Sequence, residues 1–192
     1  MRGSALTTKE RSYILGLFLG DGYANYRAKD RHYKIVFSLN SVKDKDIIKF
    51  LEYLLKKCGY NCYEVKDKRY NVVYIRVNSK KLFKHLLTEA KKLKSRCIVS
   101  DRNKILGLLS GLIDSEGYVG HGEILLSQSQ KNYPVVKIMR YLADSLNLTK
   151  SVRRVPNTTE GTFIWRIRIS TKFKNLSHIS QKVRREYSGS RI

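Results

Sequence analysis

Residues 109–118 read LSGLIDSEGY and residues 14–23 read ILGLFLGDGY. Aligned on their last three positions, they share an apolar run, Gly16 with Gly111, Asp21 with Glu116, Gly22 with Gly117 and Tyr23 with Tyr118. The two acids stand 95 residues apart, about half of a 192-residue chain. Further along, IIKFLEYL from Ile47 matches VVKIMRYL from Val135 after 88 residues, and IRV at Ile75 matches IRI at Ile167 after 92. Matches in one order at similar offsets describe a duplicated unit, with half-domains expected over residues 1–97 and 98–192.

Each unit changes periodicity in the same sequence. Residues 7–21 predict a helix, with Thr7 or Thr8 as N-cap and Glu10 in the first turn. Residues 33–40 alternate, with Ile35, Phe37 and Leu39 on one face and Lys34, Val36, Ser38 and Asn40 on the other. Ile47, Leu51, Leu54, Leu55 and Cys58 recur at helical spacing over 43–58, and Gly59 ends that helix. Residues 72–78 alternate again, with Val73, Ile75 and Val77 inward and Tyr74, Arg76 and Asn78 outward; their hairpin partner is about 61–66. Residues 82–93 return to helix. The second unit predicts a helix to Glu116, strands near Tyr118 and over 124–128, a helix over 131–146, strands over 151–155 and 162–170, and a helix over 172–185. The expected fold is α+β, two pseudo-symmetric α-β-β-α-β-β-α halves with a basic linker near 94–101 and a frayed tail from Ser188.

Gly16 and Gly20 are four apart, as are Gly107, Gly111 and Ser115, so each set forms a small-residue stripe on one helix face. Two such stripes let helix backbones approach closely. An acid at a helix C-terminus faces the negative end of the helix dipole, an unfavourable place by roughly 0.3–1 kcal/mol. If the helices pack through their stripes, Asp21 and Glu116 meet at one end. Lysine and arginine number 39 against 16 acids, a net charge of +23 that points to a polyanionic partner. Two acids converging in so basic a protein are best explained by bound cations: hard ions such as Mg²⁺ take carboxylates, main-chain carbonyls, water and phosphate oxygens. A pair of such ions can activate water and stabilise a leaving oxygen.

Hydrophobic residues make up 42% of the chain, so a packed core is within reach and a disordered basic tail is excluded for most of the length. Cys58, Cys62 and Cys97 form no CxxC pair and have no histidine at zinc-finger spacing, which argues against a disulfide scaffold or zinc module. No apolar run approaches ~18 residues, and the N-terminus lacks a signal-peptide core; a soluble, cytoplasmic protein without a membrane partner is expected. Outward strand residues Lys34, Ser38, Tyr74, Arg76, Asn78, Arg166 and Arg168 suit a DNA-facing surface, arginine reading guanine edges and lysine meeting phosphate. A strand of about 8 residues spans ~26 Å, or about 8 base pairs, so two units cover roughly 16–20 base pairs of duplex. His121 reads as a loop histidine, and Trp165 and the tyrosines as core or strand-pairing residues.

LSGLIDSEG from Leu109 resembles the signature of the LAGLIDADG homing endonucleases, and ILGLFLGDG from Ile14 resembles a diverged first copy. Order and length are similar to the single-chain, two-motif, archaeal intron-encoded members. The resemblance implies a monomer with its motif helices at the interface, a saddle of antiparallel strands over the DNA major groove, and cleavage of both strands with Mg²⁺, two or more ions being used. It further implies that Asp21 and Glu116 bind the metals, with the main-chain carbonyls of Gly20 and Ser115 as extra ligands. Asn40 and Gln128 would fill the family's polar place near the attacking water, a strand-end cap being the plainer account of each. A basic residue beside the cleaved phosphate would come from Lys43, Lys94 or Lys131. Asp114, aligned with Leu19, reads as an interface or capping residue. The alternative function is a binding module on the same scaffold, an intron RNA maturase or a DNA-binding regulator.

Overall fold

The computed structural model describes residues 5–67, 69–157, 161–170 and 176–189. The first unit runs α1 (Thr8–Asp21), β1 (Gly22–Arg27), β2 (His32–Asn40), α2 (Lys45–Lys57), β3 (Cys62–Asp67), β4 (Val72–Asn78) and α3 (Lys80–Ser95). The second runs α4 (Arg102–Glu116), β5 (Gly117–Gly120), β6 (Glu123–Ser129), α5 (Tyr133–Asp144), β7 (Thr149–Asn157), β8 (Thr162–Ser170) and α6 (Gln181–Gly189). Both units form an antiparallel four-stranded sheet of the same topology, β1-β2-β4-β3 and β5-β6-β8-β7. The predicted α-β-β-α-β-β-α order thus appears twice.

Local chemistry sets the helix ends. Thr7 accepts from the Glu10 amide while the Glu10 carboxylate accepts from the Thr7 amide, a reciprocal cap worth about 1 kcal/mol. Asp101 caps α4 through the amides of Asn103 and Lys104. The helix expected over 172–185 begins only at Gln181, after Ser180, and continues through Ser188 to Gly189, where the sequence predicts a frayed tail; residues 172–175 and 190–192 lie outside the described residues.

The core lies between the helices and the inner sheet faces, where Ile35, Phe37, Ile75, Val77, Ile124, Leu126, Ile167 and Ile169 are buried. The facing of the Ile124 strand, ambiguous in sequence, resolves with Ile124 and Leu126 inward and Leu125 beside Tyr118 and Arg168 on the outer face. Val36 departs from expectation: it keeps outward register yet is fully buried, because the larger Tyr23 and Arg76 flank it on the same face. No helix among the described residues is long and apolar enough to cross a membrane.

Candidate active site

The two motif helices interlock through their small residues. A Cβ on Gly16 would lie 3.1 Å from the Gly111 Cα, one on Gly111 would lie 2.6 Å from the Leu17 amide nitrogen, and one on Gly107 would lie 2.7 Å from the Ser12 Cβ. Gly20 faces Ser115 and the Glu116 Cγ, the latter 3.0 Å from its would-be Cβ. Backbone thus meets backbone along α1 and α4, and their C-terminal acids arrive together. Each chain then turns straight into a strand: Gly22 donates to the Phe18 carbonyl and Gly117 to that of Ile113, and any side chain there would strike the last helical turn.

The electrostatics follow from this meeting. Burial first, and the nearby Glu116 charge second, push the Asp21 carboxyl up to about 7, Asp44 adding in the same sense and Lys182 opposing. Burial also raises the Glu116 carboxyl, against the pull of Gln128 and Lys182. Gln128 donates from Nε2 to Glu116 Oε1 at 2.8 Å.

Lys182, on α6, escaped the sequence reading. Its ammonium donates to the Gly117 carbonyl at 2.9 Å and faces both acids. Asp114 places it. That carboxylate is 1% exposed and accepts from the Tyr13 hydroxyl (2.8 Å), the Ser180 hydroxyl (2.8 Å), the Gln181 amide (2.8 Å) and the Lys182 amide (3.0 Å). Burial pushes its carboxyl up and the four donors pull against that push. Asp114 is therefore both interface residue and cap, tying α1, α4 and α6 together. The only signal in the sequence was Asp114 itself, an acid in the second motif where the first has Leu19.

Of the expected lysines, Lys43 shares with Lys182 a groove of about 430 Å³ that also includes Asn40, Asp44, Gly117 and Arg185. Lys94 borders a different groove beside Phe18 and Tyr23, and Lys131 is exposed in a 3-10 turn after β6. None of the three is among the charges that move Asp21 or Glu116.

The pairing of Asn40 with Gln128 needs correction. Gly22 stands opposite Phe37, and Gly117 opposite Leu126, so Gln128 corresponds to Leu39, and Asn40 to Ser129. One residue of offset reverses the face. Gln128 shares the inner face with Ile124 and Leu126 and reaches Glu116, whereas Asn40 lies on the outer parity. The Asn40 side chain accepts from the Val42 and Lys43 amides at 3.0 and 2.9 Å and closes the turn after β2, the plainer account considered above. Leu39 therefore stands beside Asp21's strand where Gln128 stands beside Glu116's, and it offers no hydrogen bond.

Lys34, Ser38, Tyr74, Arg76 and Asn78 share the outer face of the first sheet, and Arg166 and Arg168 that of the second. The Arg76 guanidinium lies 5.8 Å from the Tyr74 ring centroid, and its buried Nε has no hydrogen-bond partner among the described residues. Arg168 is 3.9 Å from Glu123. Arg153 stands directly opposite Arg166, a like-charge pair that costs stability in water. Tyr23 and Tyr118, 47% and 62% exposed, extend the two faces in equivalent positions. His121 occupies a left-handed turn at φ 53° between β5 and β6.

The described residues hold no cluster of three or more His, Cys, Asp or Glu side chains suited to a metal. Two carboxylates do fit a hard divalent ion of the Mg²⁺ type, which is commonly held by one or two carboxylates plus substrate phosphates and water.

An uncharacterised protein of Methanocaldococcus jannaschii, MJ0398, is 32% identical over 120 residues, 61% of this chain; the matched stretch is 42% of that relative. Among solved structures, the homing endonuclease I-DmoI in complex with DNA and Mn aligns at TM-score 0.63 and 18% identity, over 83% of this chain and 89% of that one. Complexes of I-DmoI with DNA were also solved with Ca and in the presence of Mg. The N-terminal LAGLIDADG domain of DUF199/WhiA aligns at TM-score 0.56 and 14% identity, over 93% of this chain and 84% of that one. The LAGLIDADG-like domain profile matches residues 8–91 and 103–182, covering both units from α1 to the start of α6, and the chain therefore belongs to the LAGLIDADG-like family.

Proposed function

We propose that this protein is a site-specific, divalent-metal-dependent endonuclease that hydrolyses both strands of a long, partly palindromic duplex of roughly 16–20 base pairs, bound by one chain. The supporting observation is the meeting of Asp21 and Glu116, both with raised carboxyls, between two basic sheet faces. A binding module has no use for two acids held beside phosphates at a cost in stability. Asp21 and Glu116, with the main-chain carbonyls of Gly20 and Ser115, would hold the ions, which when bound polarise the scissile phosphate and supply a nucleophilic water. Gln128 fixes the Glu116 carboxylate in one orientation. Lys182 sets a positive charge where the cleaved phosphate would approach. Lys34, Ser38, Tyr74, Arg76, Asn78, Arg166 and Arg168, joined by Arg153, fix register along the duplex.

The test is incubation with a library of long duplexes and Mg²⁺, followed by sequencing of the ends. Discrete double-strand ends are expected. Asp21→Asn and Glu116→Gln should each lose cleavage while keeping duplex affinity in Ca²⁺; normal turnover by either variant would refute the assignment. Lys182→Met should slow cleavage at unchanged affinity. Duplex binding without cleavage under every divalent ion would favour the binding-module reading.

A further inference from the structure

The duplication supplies an internal control: a feature present in one unit and absent at the equivalent place in the other is not required by the fold. On the helix side of the second sheet, α5 and the β7-β8 edge enclose a groove of about 370 Å³ bordered by Tyr133, Lys137, Arg140 and Trp165, within the roughly 300–1,000 Å³ usual for small-ligand sites. Trp165 alternates with Arg166 and so belongs to the inner face with Ile167, away from the outer surface. Its indole N–H donates to Gln130 Oε1, which fixes the ring, and the Tyr133 ring lies 5.4 Å away at 39°. Lys137 sits 5.1 Å from the Tyr133 centroid. Arg154, opposite Trp165 in register, adds a further cation.

The first unit keeps Lys49 and the exposed Tyr53 at the places of Lys137 and Tyr141, with Lys57 5.8 Å from the Tyr53 ring, but lacks the Tyr133–Trp165 ring pair and Arg140. By the repeat offset, Tyr133 and Arg140 correspond to Lys45 and Glu52; by strand register, Trp165 and Val152 correspond to Val73 and Glu64. There the charges balance in ion pairs, Lys56 with Glu52 at 3.9 Å and Lys66 with Glu64 at 3.7 Å. In the second unit both acids are replaced, one by arginine, and two aromatic rings are added. Among the described residues, Asp144, 3.4 Å from Arg140, is the one acid bordering this groove. Tyr133 remains 37% exposed.

An exposed tyrosine ring beside a partly buried tryptophan that packs on the core, flanked by lysine and arginine, suits one ligand chemistry, an unpaired base stacked on the rings with its phosphates on the cations. A duplex keeps its bases stacked and offers none. We infer that this flank is a binding site for single-stranded nucleic acid, separate from the duplex-facing surface and independent of the cleavage reading.

Trp165 is the only tryptophan in the chain, so its emission reports on this groove alone. The full chain, with excess unlabelled duplex occupying the outer faces, is titrated with oligo(U) and oligo(dT) of roughly 12 nucleotides, within the usual single-strand site size. Saturable quenching of Trp165 by a single strand is expected, and no quenching by duplex. The double substitution Tyr133→Lys and Arg140→Glu installs the first unit's own residues; it should weaken single-strand binding by roughly tenfold or more and leave duplex affinity unchanged. Lys137→Glu provides a second, milder variant should the first fold poorly, and Asp21→Asn should quench as the wild type does. Tighter binding of oligo(U) would identify RNA as the source, and equal or tighter binding of oligo(dT) an unpaired DNA strand; each supports the site. Absence of quenching, its removal by competing duplex, or wild-type affinity in both groove variants would overturn it.

Discussion

Asp21→Asn should make the metal-free protein more stable at neutral and alkaline pH while destroying the proposed activity. A carboxyl held near 7 instead of its ordinary 3.8 binds its proton more tightly in the folded chain than in the unfolded one. Its contribution to stability is complete below about pH 3.8 and is lost as pH rises through about 7. The whole gap corresponds to about 4 kcal/mol; partial exposure and salt screening reduce this to about 2 kcal/mol. Asparagine keeps the shape and cannot ionise, so the penalty disappears. For a chain of this size, about 2 kcal/mol is roughly 4–8 °C in melting temperature. Thermal melts in EDTA at closely spaced pH values should therefore nearly coincide for wild type and variant near pH 4 and separate toward pH 8, the variant melting higher. A variant that melts lower at pH 8, or a gap independent of pH, would refute the claim that burial, with the Glu116 charge beside it, holds the Asp21 carboxyl up.

Gly111→Leu should lower the melting temperature by several degrees or prevent folding, since its side chain meets the Tyr13 carbonyl and the Leu17 amide, backbone that cannot move aside; overpacking alone costs about 1–3 kcal/mol, read by thermal melts of the purified variant. Gln128→Ala should slow cleavage of one strand more than the other, measured by strand-specific end labelling, whereas Asn40→Ala should cost about 1 kcal/mol of stability through its turn with little effect on either strand. Replacing Arg153 and Arg166 together by Ala should leave stability unchanged or raised by up to about 1 kcal/mol, and should reduce the steepness of the log–log salt dependence of duplex binding by nearly two, given about 0.9 per phosphate contact. Salt titration by anisotropy decides that case.

The sequence alone determined the duplication, the element order and the pairing of Asp21 with Glu116. These are local or periodic properties: two acids before Gly-Tyr, small residues every four positions along a helix, and alternation along strands. Each is set by backbone geometry that repeats every 3.6 or 2 residues, so it can be read without knowing what lies across the interface. The outer-face residues were legible for the same reason, Val36 excepted, because burial there depends on Tyr23 and Arg76 arriving from neighbouring strands. Three features needed the tertiary structure. The Asn40 and Gln128 positions look equivalent when counted from the strand ends that alternation in the sequence suggests, at 40 and 128, yet β6 runs on to Ser129 and register counted from Gly22 and Gly117 puts them on opposite faces; register is fixed by long-range pairing. Lys182 sits in QKVRRE with nothing to distinguish it from the chain's many other lysines; it reaches the acids only because Asp114, one helix away, accepts its amide and caps α6. The aromatic flank at Tyr133 and Trp165 joins a helix to a strand some thirty residues on, a contact that no spacing rule encodes and that the packing of α5 against β8 alone creates.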